Sequence, residues 1–152
     1  MISSLSDIEA FLPISATIAT SGQPTGPQFS AIQAAGYRLI INLATPASSN
    51  WNPDEAAIAQ ALGMDYIGIP VDWEHPILSD FETLADCLDA NGDRKVWVHC
   101  AKNMRVSALM YLYHRLRKGY SDETARRYLE SIWQPNKIWQ DFIDATLELY
   151  QD

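Results

Sequence analysis

The chain has 152 residues, of which 47% are hydrophobic and 20% are charged, and these values fit one folded domain, residues 1–152. A formal net charge of −8 argues against a general surface for nucleic acid or anionic membrane, so any bound anion needs a local positive site. Two cysteines are too few for a disulfide framework. Because the amino-terminal segment has no basic region and no stretch approaches the ~18 apolar residues of a membrane span, we expect a cytoplasmic protein.

Strand and helix patterns alternate along the chain. Apolar and β-branched runs predict strands at residues 17–20, 38–43, 65–71 and 95–100. Amphipathic or apolar segments predict helices at residues 27–36, 54–63, 80–90, from 104–106 to about 118, 121–133, and from about 136 onward. This order predicts an α/β fold: a central, mostly parallel sheet flanked by helices, with a helix-rich carboxyl-terminal part that covers one face more heavily.

Two helix starts carry capping patterns. Asn52-Pro53-Asp54-Glu55 predicts an N-cap, a proline in the first turn and a capping-box glutamate. Ser79 and Glu82 have the spacing of a second capping box. Both patterns assign these side chains to local helix structure.

The segment from Val96 to Ser107 joins a predicted buried strand to a predicted buried helix. Cys100 ends the strand, and binding sites in parallel sheets form beyond the carboxyl ends of the strands. Loop amides and the amino end of the next helix can converge there on one anion, and the same field stabilises a cysteine thiolate. Lys102 and Arg105 add positive charge, and an arginine can hold two oxygens of a tetrahedral anion. The segment therefore predicts a nucleophilic cysteine beside an anion-binding loop.

Cys100 also has a structural interpretation, because free cysteines often behave as small buried hydrophobes. The flanking His99 and Arg105 favour the functional interpretation. Cys87 has no neighbouring cation and lies on the apolar face of a predicted helix, so it is predicted to be structural.

His99-Cys100, followed by a short loop, Arg105 and Ser107, resembles the signature of the cysteine-dependent protein tyrosine phosphatases. The resemblance is strongest to the dual-specificity type and to a compact bacterial group of relatives. It extends over roughly residues 17–118 through three upstream segments, namely ATSGQPT (19–25), YRLIINLAT (37–45) and GMDYIGIPVDW (63–73). It implies a dual-specificity-phosphatase-like fold, a phosphorylated substrate of unknown class, and no metal or other cofactor.

The resemblance assigns roles around the loop. Cys100 would attack phosphorus and form a phosphocysteine, and Ser107 would donate a hydrogen bond to the departing sulfur. The phosphoryl oxygens would be bound by the Arg105 side chain and by backbone amides of the loop. The loop residues concerned are Ala101, Lys102, Asn103, Met104, Arg105, Val106 and Ser107. His99 would support the thiolate, although it could equally be a satisfied histidine at a strand end.

Asp72, after the third predicted strand, would protonate the leaving oxygen and then activate water. Its alternative role is that of a turn or cap residue, and Glu74 and His75 are alternative acids. Trp73 would line the substrate pocket or serve packing alone.

The loop departs from the family in its spacing. The usual pattern has five residues between cysteine and arginine, whereas only four separate Cys100 from Arg105, and Val106 takes the usual arginine position. One helical position turns a side chain by about 100°, so Arg105 reaches a phosphate only if the loop is rebuilt. Asn103 replaces the usual glycine, and asparagine is among the residues that tolerate positive φ.

Two other function classes remain open. Rhodanese-type sulfurtransferases resemble the local pattern, with six-residue loops from cysteine to arginine and a persulfide on the cysteine, but they lack counterparts of the upstream segments. A phosphatase-like pocket could also bind an anion without turnover. The histidines and cysteines lack zinc-ligand spacing, and no nucleotide-binding motif is present.

Overall fold

The computed structural model describes residues 4–150, and they form five strands and six α-helices after a short 3-10 turn. The strands are β1 (Leu12–Pro13), β2 (Ile18–Ser21), β3 (Tyr37–Asn42), β4 (Asp65–Gly68) and β5 (Lys95–His99). The helices are α1 (Gly26–Ala34), α2 (Glu55–Ala61), α3 (Leu78–Ala90), α4 (Met104–Leu116), α5 (Asp122–Glu130) and α6 (Lys137–Leu149).

The strands make one sheet in the order β1-β2-β5-β3-β4. The strands β2, β5, β3 and β4 are parallel neighbours, and β1 pairs antiparallel with β2 at the edge. This arrangement confirms the predicted α/β fold with a mostly parallel sheet. The sequence analysis missed β1, because two residues that include a proline carry no periodic strand pattern.

The sheet separates two apolar cores, because successive side chains of a strand point to opposite faces. On one face, Leu39, Ile41 and Val98 pack in a cluster with buried residues of α3, α4, α5 and α6. On the other face, Ile40 and Trp97 pack in a smaller cluster with residues of α1 and α2. The carboxyl-terminal helices therefore cover one face more heavily, as the order of elements predicts.

Both predicted capping boxes are wrong in detail. At α2, the side chain of Asn52 accepts the amide of Asp54 at 2.9 Å, while the Glu55 carboxylate is buried and turned toward β5. At α3, the helix begins at Leu78, and the carboxylate of Asp80 accepts the Ile77 amide at 3.1 Å. Capping patterns describe local spacing only, and in α2 a tertiary partner competes for the same carboxylate.

Within residues 4–150, no helix is both long enough and apolar enough to cross a membrane.

Candidate active site

Cys100 follows the central strand of the sheet. His99, the last residue of β5, pairs with Ser21 of β2 on one side and with Asn42 of β3 on the other. Three parallel strands therefore end at one level, and helix α4 begins four residues after Cys100. Because the first amides of a helix have no partner within it, the Met104, Arg105 and Val106 amides are available at this end of α4.

The Cys100 side chain is buried, with 1% of the residue exposed, yet it lines a cavity of about 270 Å³. The other residues that line this cavity are Trp73, Ala101, Lys102, Met104 and Arg105. The loop predicted to bind an anion thus lines a cavity beside Cys100. Val106, by contrast, is fully buried and belongs to the apolar core.

Asn103 makes the tight turn from the loop into α4. It has a φ of 65°, in the left-handed region that asparagine tolerates better than most residues. Its side-chain amide donates to the Ala10 carbonyl at 2.9 Å and to the Thr20 hydroxyl at 3.1 Å. These bonds fix the short loop against β2 and the segment before it.

Gly22, in the ATSGQPT segment, lies directly against the loop. A Cβ atom at this position would be 2.7 Å from the Ala101 carbonyl oxygen, so only glycine fits without a shift of the backbone. The next amide, that of Gln23, donates to the same oxygen at 3.0 Å, and the Asn50 side chain donates to it at 3.1 Å. The "SGQ" motif is therefore a packing surface for the cysteine loop.

Arg105 is 5% exposed and lines the Cys100 cavity, although it stands one position early. Its guanidinium donates to the Val71 carbonyl at 3.0 Å and to the Ser48 hydroxyl at 3.2 Å. Both partners are neutral oxygens, so the positive charge is not cancelled by them. An arginine has five N–H donors, and the remaining ones can serve an anion.

A second cavity, of about 510 Å³, adjoins the first and shares Trp73 and Arg105 with it. It is also lined by Asp72 and Glu74, two of the three residues predicted as acids. A hydrogen bond from the Glu74 backbone amide to the Asp72 carboxylate holds the pKa of Asp72 below its usual value. The nearby charge of His75 adds to this effect. The Asp72 side chain is 65% exposed.

Trp73 faces both cavities and also packs. Its ring lies 5.4 Å from that of Trp133 and 5.9 Å from that of Trp139, measured between centroids. The Trp139 indole donates to the Trp73 carbonyl at 2.8 Å. Trp73 therefore lines both cavities and also packs, and its contact with a substrate stays a prediction.

The Ser107 hydroxyl has hydrogen-bond partners other than the Cys100 sulfur. Its hydroxyl donates to the Met104 carbonyl at 2.9 Å and accepts from the Trp133 indole at 3.0 Å. A bond from Ser107 to the departing sulfur, as predicted, would require the hydroxyl to exchange its acceptor.

His99 is fully buried and has a partner that the sequence analysis missed. Its Nε2 lies 2.5 Å from the carboxylate of Glu55, which is 1% exposed. The other carboxylate oxygen accepts from the Gln23 side chain at 2.7 Å. The local sequence pattern assigns Glu55 to the cap of α2 and does not indicate this network. The only sequence signal for it is that Gln23 belongs to the "SGQP" segment.

Among residues 4–150, no group of three or more histidine, cysteine or acidic side chains has the arrangement of a metal site.

Comparison with solved structures relates this site to known proteins. A candidate phosphatase of the DUF442 family from Shewanella putrefaciens CN-32 is 30% identical to the chain, with 97% of each chain covered and a TM-score of 0.85. The chain belongs to the DUF442 family. No family model and no curated protein matches it.

The DUF442 chain also shares its fold with characterised phosphatases at lower identity. The catalytic core of the PP-IP phosphatase SIW14 from S. cerevisiae, solved with citrate, is 17% identical over 98% of the chain and 90% of its own, with a TM-score of 0.73. TpbA from P. aeruginosa, solved with phosphotyrosine as a cysteine-to-serine variant, is 14% identical over 86% and 76%, with a TM-score of 0.68. These likenesses confirm the predicted dual-specificity-phosphatase-like fold.

Proposed function

We propose that this DUF442 protein hydrolyses phosphomonoesters through a Cys100 phosphocysteine intermediate. The observation that carries the proposal is that Cys100 and Arg105 line one cavity at the amino end of α4. The phosphatase-like fold and the family membership support the same reaction class. The upstream segments and the fold give no comparable support to a sulfurtransferase.

In the first step, the Cys100 thiolate attacks phosphorus and the ester P–O bond breaks. The oxygen of the leaving group takes a proton and departs as an alcohol or phenol. In the second step, water attacks the phosphocysteine and gives a proton to a carboxylate. The S–P bond breaks, inorganic phosphate leaves and the thiolate is restored. In the transition state of each step, negative charge is spread over the three phosphoryl oxygens, where fixed donors stabilise it.

Arg105 is the donor that the shorter loop puts in question, and its surroundings support a role for it. Because Val71 and Ser48 hold the guanidinium at the edge of the cavity, the side chain needs little reorganisation to meet an anion. The left-handed turn at Asn103 leads directly into α4, whose second residue is Arg105. We infer that the four-residue spacing is a rebuilt phosphate loop that retains its arginine.

We infer that Asp72 is the proton donor to the leaving group. It lines the cavity next to that of Cys100, where a leaving group that extends past Trp73 and Arg105 would lie. Its lowered pKa means that the protonated form is abundant only at acidic pH. The proposed reaction is therefore favoured by acidic conditions or by a substrate that displaces the Glu74 amide from Asp72.

The test is hydrolysis of para-nitrophenyl phosphate combined with trapping of the intermediate. We expect the unmodified protein to release nitrophenol and, after rapid quenching in acid, to carry one phosphoryl group on Cys100 in a peptide mass spectrum. Cys100→Ser should lower turnover by at least about 10³-fold, because loss of a nucleophile removes the covalent route. Cys87→Ser is the matched control and should be as active as the unmodified protein.

Three outcomes contradict the proposal. Hydrolysis that survives Cys100→Ser excludes the covalent mechanism. Formation of thiocyanate from thiosulfate and cyanide, without phosphatase activity, identifies a sulfurtransferase. Binding of inorganic phosphate without turnover of either substrate identifies an anion-binding module.

A further inference from the structure

The ring of His99 faces a hydrogen-bond acceptor at each of its nitrogens. Nε2 lies 2.5 Å from a carboxylate oxygen of Glu55, and Nδ1 lies 3.3 Å from the carbonyl oxygen of Cys100. A neutral imidazole has one N–H, so either neutral tautomer turns a lone pair toward an acceptor. His99 is 0% exposed, and water therefore cannot relieve that repulsion. With an ionised Glu55, both contacts are hydrogen bonds only when the ring carries two protons, whereas a neutral ring needs that proton on the Glu55 carboxyl oxygen.

Glu55 is bound in a way that suits an ionised carboxylate. One oxygen faces His99 and the other accepts from the Gln23 amide at 2.7 Å, so both oxygens have donors. The residue is 1% exposed. An unpaired charge at such a depth is strongly unfavourable, whereas a carboxylate and an imidazolium in contact compensate each other.

The pair also fixes a peptide of the loop. When Nδ1–H of His99 holds the Cys100 carbonyl, the Ala101 amide of the same peptide must point the opposite way, because the two groups are anti in a trans peptide. The next carbonyl, that of Ala101, is held by Gln23 and Asn50, which fixes the Lys102 amide in the same manner. Two successive loop amides are thus oriented through their carbonyl partners.

We propose that Glu55 is a positioning residue that keeps His99 doubly protonated behind Cys100, and thereby orients the loop and stabilises the thiolate. The carboxylate lies at Nε2 and the Cys100 carbonyl at Nδ1, so the pair acts on the nucleophile through the Cys100 peptide. The inference rests on the proposed role of Cys100 as the nucleophile. The other charged groups around the thiol are Lys102 and Arg105, which line its cavity, and Asp72 and Glu74 in the adjoining cavity.

The test measures the thiolate directly, without a phosphate ester. The rate of Cys100 alkylation by iodoacetamide is followed against pH in the full chain, with Cys87→Ser in every variant so that one thiol reports. We expect Glu55→Gln to slow alkylation about tenfold or more at about pH 6, since a nearby opposite charge favours ionisation by that order. At alkaline pH, where the thiol is ionised in every variant, the rates should converge. Glu82→Gln, the same change at the surface of α3, is the control.

A second comparison distinguishes positioning from a merely structural role. If Glu55 acts through His99, Glu55→Gln does not slow Cys100 alkylation further in a His99→Asn background. The double variant leaves no buried charge unpaired, so its alkylation rate can be compared with that of His99→Asn even if Glu55→Gln alone does not fold. Nitrogen NMR of the imidazole side chains, assigned with His99→Asn, should show both His99 nitrogens protonated at neutral pH, and one of them deprotonated in Glu55→Gln.

The inference is overturned if folded Glu55→Gln is alkylated at the rate of the unmodified protein near pH 6, if the two substitutions have additive effects, or if His99 proves neutral. Its failure is distinct from that of the proposed function. A protein without phosphatase activity whose alkylation depends on Glu55 refutes the function and supports the pair. An active phosphatase whose alkylation rate is the same in Glu55→Gln supports the proposed function and refutes the role of the pair.

Discussion

The two ends of helix α4 bury polar side chains among different neighbours. At the amino end, Arg105 is 5% exposed and its guanidinium donates to two neutral oxygens at the edge of the cavity. At the carboxyl end, His114 is 2% exposed, and its Nδ1 has no partner among residues 4–150. The His114 ring instead packs on Tyr120 and Tyr128, at centroid distances of 4.8 and 5.3 Å.

Burial has opposite consequences at these two ends. Burial lowers the pKa of His114 from 6.5 to about 4, and the nearby positive charge of Lys118 acts in the same direction. Aromatic surroundings thus keep this histidine neutral, whereas oxygen acceptors surround both Arg105 and His99. The comparison teaches that burial alone does not identify a functional polar residue. The atoms that surround it decide whether it retains a charge that a substrate can use.

The largest expected effect comes from removing the cation at the amino end of α4. Arg105→Ala should lower kcat/KM for para-nitrophenyl phosphate by about 10³-fold, because charged hydrogen bonds to the transition state are lost. Arg115→Ala, on the same helix near its carboxyl end, loses an ion pair with Asp122 and should remain within about twofold. Steady-state kinetics of both variants compare the two ends. Equal activities of the two variants would contradict the expectation that catalysis depends on the cation at the amino end of α4 and not on the one at its carboxyl end.

The next effect concerns the proton donor. Asp72→Asn should lower turnover of phenyl phosphate at about pH 5 by about a hundredfold, as expected for loss of a general acid. Because the pKa of Asp72 is lowered, its protonated form becomes scarcer as pH rises. The unmodified protein should therefore lose activity from pH 5 to pH 7, by up to about tenfold for each pH unit. Asp141→Asn is the surface control, and an unchanged pH profile in Asp72→Asn would assign the acid to Glu74 or His75.

A smaller effect is expected from the packing of the loop. Gly22→Ala places a Cβ 2.7 Å from the Ala101 carbonyl oxygen and must shift the loop, so kcat should fall about tenfold or more. Gly26→Ala is the matched control, since its Cβ meets Ile58 at 3.7 Å, an ordinary contact. The kinetics of the two variants test whether the site depends on the position of the loop. Full activity of Gly22→Ala would show that it does not.

The smallest effect appears in stability, at the carboxyl end of α4. Between pH 6.5 and about 4 the unfolded chain binds a proton at His114 that the folded chain does not, so stability falls as pH decreases through this window. The loss is about 2 kcal/mol by pH 4.5. His114→Phe should remove that part of the pH dependence in denaturant unfolding, whereas exposed His75→Gln should leave it. If the free energy of unfolding depends on pH equally in His114→Phe and in the unmodified protein, His114 is not a neutral buried histidine.

Apart from the short edge strand β1, the sequence alone determined the succession of strands and helices, the position of Cys100 after a strand and the resemblance to cysteine-dependent phosphatases. These features are local or lie in contiguous motifs, such as the apolar run before His99-Cys100 and the "SGQP" segment. Periodicity and spacing report them directly. The tolerance of Asn103 for positive φ belongs to the same class, because it depends on one residue type in one loop.

Only the tertiary structure decided how distant residues complete the site. Glu55 lies 44 residues before His99, and its capping pattern gave no sign that its carboxylate binds β5. The strand order β2-β5-β3 brings Gly22, Asn50 and Gln23 against the cysteine loop, which no local pattern can report. The same holds for Arg105, because its spacing could not report that the side chain lines the Cys100 cavity and donates to Val71 and Ser48. Side-chain direction depends on packing between elements, and sequence spacing contains no measure of it.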